Sequence, residues 1–135
     1  MKILADTSVW SLALRRKKQN DAANALSELI LASLIVMIGP IRQELLSGIS
    51  DNDIFLRLKA ALEPFDDLPT VTADYETAAQ YYNICRSNGV QGSHIDFLIC
   101  AVAVNNNLLI YTTDQDFLLF SGYLPIRLYN PAATS

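Results

Sequence analysis

The run Leu108-Leu-Ile-Tyr-Thr-Thr-Asp-Gln-Asp-Phe117 constrains this chain more than any other stretch. Four apolar residues lead straight into two hydroxyls and two carboxylates. A short apolar run bounded by turn-type residues reads as a buried strand, so Asp114 and Asp116 fall just past its carboxyl end. In open α/β sheets, ligands bind at that edge. The amino terminus repeats the arrangement, with Lys2–Ala5 feeding Asp6, Thr7 and Ser8. Two strands that each deliver a carboxylate to the same sheet edge make an acidic pocket.

Strands and helices alternate along the chain. Lys2–Ala5 is strand-like, and a helix over Thr7–Leu14 carries Trp10 and Leu14 on one face. Asn20 or Asp21 caps a helix whose Ala22, Leu26, Leu29 and Ile30 recur at helical spacing, a stripe that ends at Ser33. Ile35–Ile38 is a short β-branched strand. Pro40 suits the first turn of a helix over Ile41–Ser47, stopped by Gly48. Ser50–Asp53 predicts a capping box for a helix with Ile54, Leu58, Ala61 and Leu62 inward, ended by Pro64. A short third strand is expected around Thr70–Val71. Thr72 is expected to cap a helix with Tyr75, Ala78, Ala79, Tyr82 and Cys85 inward and Gly89 as its stop. Ser93–Asp96 is another capping pattern. The apolar Phe97–Val104 behind it, closed by Asn105–Asn107, predicts a helix buried nearly all round. Leu108–Tyr111 and Ile126–Tyr129 complete a mainly parallel sheet of about five strands flanked by helices. The result is a three-layer α/β fold in one domain spanning residues 1–135. Pro131–Ser135 reads as a loose tail.

Composition limits what such a domain is for. Half of the residues are apolar (51%), which makes the chain globular rather than disordered. Cys85 and Cys100 make no disulfide framework and read as small buried hydrophobes in a reducing cytosol. Asp6 and the Arg15–Lys18 run interrupt any amino-terminal signal region, and Leu29–Ile41 falls short of the ~18 residues that span a bilayer. A cytoplasmic protein without a membrane partner is expected. The net charge of −4 is unfavourable for a nucleic-acid partner unless the acids are concentrated. If Asp6, Glu44, Asp96, Asp114 and Asp116 share one site, removing those five from 14 acids leaves 9 against 10 basic residues. Four of those basic residues stand together at Arg15–Lys18, a run that suits phosphates or a solvated loop.

Hard divalent cations take oxygen ligands, and Mg2+ usually holds one or two carboxylates, with water and phosphate oxygens in its other positions. Phosphodiester hydrolysis at such sites uses the metal to generate hydroxide and to stabilise the attacking and leaving oxygens. That chemistry needs several acids from separate elements. Each of the five has a structural alternative: Asp6 as a helix cap, Asp96 in a box with Ser93, Asp114 and Asp116 as first-turn acids boxed with Thr113, Glu44 as a surface acid. For Asp96, Ile99 and Cys100 at i+3 and i+4 put the acid on an inward edge, where it is costly unless paired or metal-bound. Asp51 and Asp53 follow no apolar strand and read as caps. Asp66, Asp67, Asp74 and Glu76 read as solvated. His94, the only histidine, reads as an exposed first-turn residue and excludes a Ser-His-Asp or Cys-His set.

Four segments, in order and at the expected separations, resemble a PIN-domain ribonuclease, and within that family the VapC-type toxins of toxin–antitoxin pairs. They are Ile3-Leu-Ala-Asp6-Thr-Ser-Val-Trp10, Ile41-Arg-Gln-Glu44-Leu-Leu-Ser-Gly48, Gly89 with Asp96-Phe-Leu-Ile-Cys-Ala101, and Leu109-Ile-Tyr-Thr112-Thr-Asp114-Gln-Asp116-Phe117. The resemblance covers nearly the whole length. It implies Asp6, Glu44, Asp96 and Asp114 as a metal-binding quartet, Asp116 as a fifth acid, and Ser8 and Thr112 as hydroxyls orienting water or phosphate. It further implies an Mg2+- or Mn2+-dependent endoribonuclease that leaves a 5′-phosphate and a 3′-hydroxyl on RNA. A homodimer and a cognate antitoxin follow from it too, the antitoxin packing near Leu26–Leu34 and Ile54–Leu62. Cys100 stands where alanine is usual and His94 where no fixed residue is expected, but neither replaces an acid. An inactive PIN-like RNA-binding or assembly module usually lacks one or more acids, and all five are present. A phosphatase of the Asp-x-Asp-x-Thr kind would need an acid at Ser8, and a receiver a lysine between Leu108 and Ile126; neither is there.

Overall fold

The computed structural model describes residues 1–15 and 20–131, without the Arg15 side chain. The basic Arg15–Lys18 run and the Pro131–Ser135 tail thus lie outside the described residues, except for the Arg15 backbone and Pro131. The sheet is built on β1 (Ile3–Ala5), with β2 (Ile35–Val36) and β3 (Leu109–Tyr111) parallel to it on either side. All three β1 residues are buried, as expected of a parallel strand covered on both faces. Ile3 pairs with Ile35 and Leu109, Leu4 with Val36 and Ile110, and Ala5 with Tyr111. From β1 the chain reaches β2 on one side and β3 on the other. The carboxyl ends of β1 and β3 therefore form the switch point where such sheets bind ligands.

The expected five strands resolve into these three plus one bridge at each edge. Ile126–Tyr129 keeps a single pairing, Leu128 with Ile110, and the third strand lies at Asp67, opposite Met37, rather than at Thr70–Val71. Arg42 explains that shift. Its guanidinium donates to Asp67 at 3.0 Å and to the carbonyls of Leu62 (2.9 Å) and Phe65, holding this segment beside β2.

Among the described residues seven helices surround the sheet: α1 (Thr7–Arg15), α2 (Asp21–Leu31), α3 (Gly39–Leu46), α4 (Asn52–Leu62), α5 (Thr72–Ser87), α6 (His94–Asn105) and α7 (Asp116–Ser121). Helix α1 packs on α2 and α3, α3 on α4, and α5 on α6, which also touches β3. Every residue from Phe97 to Ala103 is buried, as the apolar run predicts. Ser33 (φ 60°) and Asn107 (φ 56°) turn α2 and α6 sharply into β2 and β3. Cys85 and Cys100 are free, fully buried thiols whose pKa values burial raises. No helix among the described residues is long and apolar enough to cross a membrane.

Several local expectations are corrected. Asp51, not Ser50, caps α4, accepting the amides of Asp53 (2.9 Å) and Ile54 (3.1 Å). Thr72 is the first residue of α5 rather than its cap. Tyr75 and Ala79 are exposed, and Tyr81 with Asp74 and Cys85 forms the buried stripe. Asp74 is not solvated: it is 2% exposed, accepting the Val71 amide at 3.0 Å and Asn105 Nδ2 at 2.9 Å. Leu14, Ile54 and Ala61 do not enter the core but, with Ile49 and Leu58, line an open apolar groove.

Candidate active site

Sheet register creates the site. Because Ala5 pairs with Tyr111, the next residues, Asp6 and Thr112, meet at the carboxyl edge. The Asp6 amide donates to the Tyr111 carbonyl at 3.0 Å, carrying the ladder one residue further. Thr112 Oγ1 then donates to Asp6 Oδ2 at 2.8 Å, and Ser8 Oγ donates to Oδ1 at 2.5 Å. Each hydroxyl also accepts an amide of the loop after β3: Ser8 Oγ that of Thr113, and Thr112 Oγ1 that of Asp114, both at 3.0 Å. Ser8 and Thr112 are thus a clamp on Asp6 as well as stitches between the two loops.

Asp6 is 5% exposed. Its capping alternative holds, since Oδ1 also accepts the amides of Ser8 (3.1 Å) and Val9 (3.5 Å) at the start of α1. Burial pushes its pKa up. Donors from Ser8, Thr112 and the Val9 amide pull it down, the Asp114 charge adds to the rise, and the net direction is upward.

Asp96 is fixed by a capping box: its carboxylate accepts the Ser93 amide at 3.0 Å and its own amide donates to Ser93 Oγ at 3.1 Å. Oδ2 is the oxygen that accepts the amide. Burial again raises the pKa. The Ser93 hydrogen bonds resist, and the charges of Asp114 and Glu44 raise it further. Asp114 is half-buried and accepts the Asp116 amide at 2.9 Å, so it, rather than Thr113, organises the start of α7. Glu44 is exposed on α3, whose Ile41 and Leu45 face the core, and receives the Thr7 hydroxyl. Thr7 was not legible as a site residue. Its place directly after Asp6 was a hint, but its contact lies 37 residues away.

The charge of Asp114, after β3, acts on Asp6, after β1, and on Asp96, on α6, and the charge of Glu44, on α3, acts on Asp96. Asp116 is exposed and joined to Asp114 through its amide. Among the described residues, no group of three His, Cys, Asp or Glu side chains is gathered closely enough to hold a metal ion by itself. The ion pairs among the described residues, Arg42–Asp67 and Lys59–Glu63, leave the cluster without a cationic partner. Buried carboxylates in that situation favour a bound cation.

Residues 3–122 match the PIN domain family. The chain belongs to the PIN-domain family. This PIN domain is similar to FitAcB from Neisseria gonorrhoeae (23% identity, TM-score 0.74, covering 96% of this chain and 98% of that one). It is similar to VapBC2 from Rickettsia felis bound to a DNA fragment from their promoter (15%, 0.75, 96% and 98%). DNA-bound VapBC from Salmonella typhimurium is comparable (18%, 0.76, 96% and 97%). At these identities the likeness is one of fold. No curated protein sequence matches the chain.

Proposed function

We propose that this PIN domain is a divalent-metal-dependent endoribonuclease and the toxin of a toxin–antitoxin pair, acting in the cytoplasm as a homodimer. The observation that carries the reading is that Asp6 and Asp114 follow β1 and β3 at the switch point, with the charges of Asp114 and Glu44 acting on Asp96 and no ion pair to any of the four among the described residues. Asp6, Asp96 and Asp114, with Glu44 and Asp116 at the rim, would hold Mg2+ or Mn2+. When bound, the metal supplies the charge that activates water and neutralises the developing phosphate charge. The chain's own contribution is positional. Ser8 and Thr112 keep both Asp6 oxygens aligned, Ser93 orients Asp96, and Thr7 restrains Glu44. So engaged, Ser8 and Thr112 would orient the acid, each keeping a lone pair for water or phosphate. The resemblance to VapC-type toxins and the likeness to VapBC and FitAcB assemblies support a cognate antitoxin as partner.

Cleavage of a folded RNA by the purified chain in Mg2+, Mn2+ and EDTA tests the reading. Cutting is expected with metal, absent in EDTA, and absent from Asp96→Asn prepared identically. Cutting that persists in EDTA, or equal cutting by the variant, would refute it. Metal and RNA binding without cutting would favour an inactive binding module.

A further inference from the structure

A ladder of three side chains joining α5 to the start of α6 has no role in the site described above. His94 opens α6 two residues before Asp96, and its ring stacks on Tyr82 of α5, with centroids 5.1 Å apart and planes 12° from parallel. Tyr82 stands edge-on to the buried Phe97 at 5.6 Å. Arg86, one turn along α5, holds its guanidinium 5.5 Å from the Tyr82 ring centre and donates to the Tyr82 hydroxyl at 3.2 Å. His94 and Arg86 are exposed. A flat ring is therefore held in one orientation by the core yet left open to solvent, with a cation next to it.

Neither His94 nor Arg86 pairs with an acid among the described residues. Two other arginines are committed, Arg42 to Asp67 and Arg127 to Asn107. An acidic cluster alone repels a polyanion, so a strand passing Asp96 needs cationic and stacking contacts nearby. Unpaired bases stack on aromatic and histidine rings, and arginine meets phosphate. We propose that the His94–Tyr82–Arg86 ladder is a nucleotide-docking subsite. It stacks one unpaired RNA base on His94 and meets a neighbouring phosphate with Arg86, presenting the strand to Asp96. This rests on the nuclease reading, from which it is separable by experiment.

Binding is measured by fluorescence anisotropy of a labelled single-stranded RNA in Mg2+, using Asp96→Asn protein as the parent so that RNA is not consumed. Adding His94→Ala should weaken binding about tenfold, while His94→Trp, which keeps a stacking ring, should retain it. Arg86→Ala should weaken binding and lower the salt dependence by about one phosphate contact. Parent-like affinity in both alanine variants would overturn the subsite. So would lost binding accompanied by a change from dimer to monomer in sedimentation, which would assign the face to self-association. If wild type cuts RNA while these variants bind like the parent, the subsite fails and the nuclease reading stands. If wild type does not cut and the parent binds no RNA, both fail.

Discussion

Thr112 does three things with one hydroxyl: it donates to Asp6, accepts the Asp114 amide and lies 3.3 Å from Ser8 Oγ. Thr112→Ala leaves a buried carboxylate short of a donor and an amide without its acceptor. It should destabilise the fold by about 1–3 kcal/mol in denaturant titrations and weaken Mn2+ binding about tenfold, the usual effect of losing a group that orients a ligand. Thr112→Ser should restore both. Asp96 gives a test of opposite sign. Its folded pKa lies above its ordinary value of 3.8, chiefly through burial. Its contribution is full below that ordinary value and is lost as pH rises through the raised one. At neutral pH without metal the charged group opposes folding. Asp96→Asn, whose amide oxygen still accepts the Ser93 N–H, should therefore melt above wild type in EDTA at pH 7 and lose that advantage towards pH 3. Asp6, Asp96, Asp114 and Asp116 stand out in the sequence because each follows a strand or opens a helix, whereas Glu44 lies inside α3 and only the motif around it marks it. The clamp by Ser8 and Thr112 is not legible there, because it depends on Ala5 pairing with Tyr111 across 106 residues.

Among the elements, the turn before α6 is the tightest. A Cβ on Gly92 would stand 2.6 Å from Phe120 Cζ and 2.9 Å from Phe97 Cζ, inside the aromatic packing that joins α6 to α7. Gly92→Ala should cost about 1–3 kcal/mol by overpacking and should disturb the Ser93–Asp96 box. Gly39→Ala, where a Cβ meets nothing within 4 Å, should stay within about 1 kcal/mol of wild type. Thermal melts of the pair separate crowding from a generic glycine effect. Helix existence is well marked in this sequence, by Asn20, Gly48, Gly89 and the Ser93–Asp96 box. Which face turns inward is less so. Asp74 looks like a solvated first-turn acid until Asn105, on another helix, reaches it. Thr70–Val71 looks like a strand until Arg42 draws Asp67 to the sheet edge instead. In each case a distant side chain overrides a sound local preference.

The whole molecule carries a net charge of −4, and two of its acids, Asp6 and Asp114, directly follow the β1 and β3 segments at the switch point. A cation held there would reconcile an acidic chain with the polyanionic substrate proposed for it, by removing the repulsion where RNA would approach. The central claim is that carboxylates from four separate elements form one divalent-cation site. Calorimetric titration of the full chain with Mn2+ tests it directly, with Asp96→Asn alongside. Wild type should bind Mn2+, and Asp96→Asn should bind at least tenfold more weakly. A wild-type chain that takes up no Mn2+, or a variant that binds it equally well, would contradict the account.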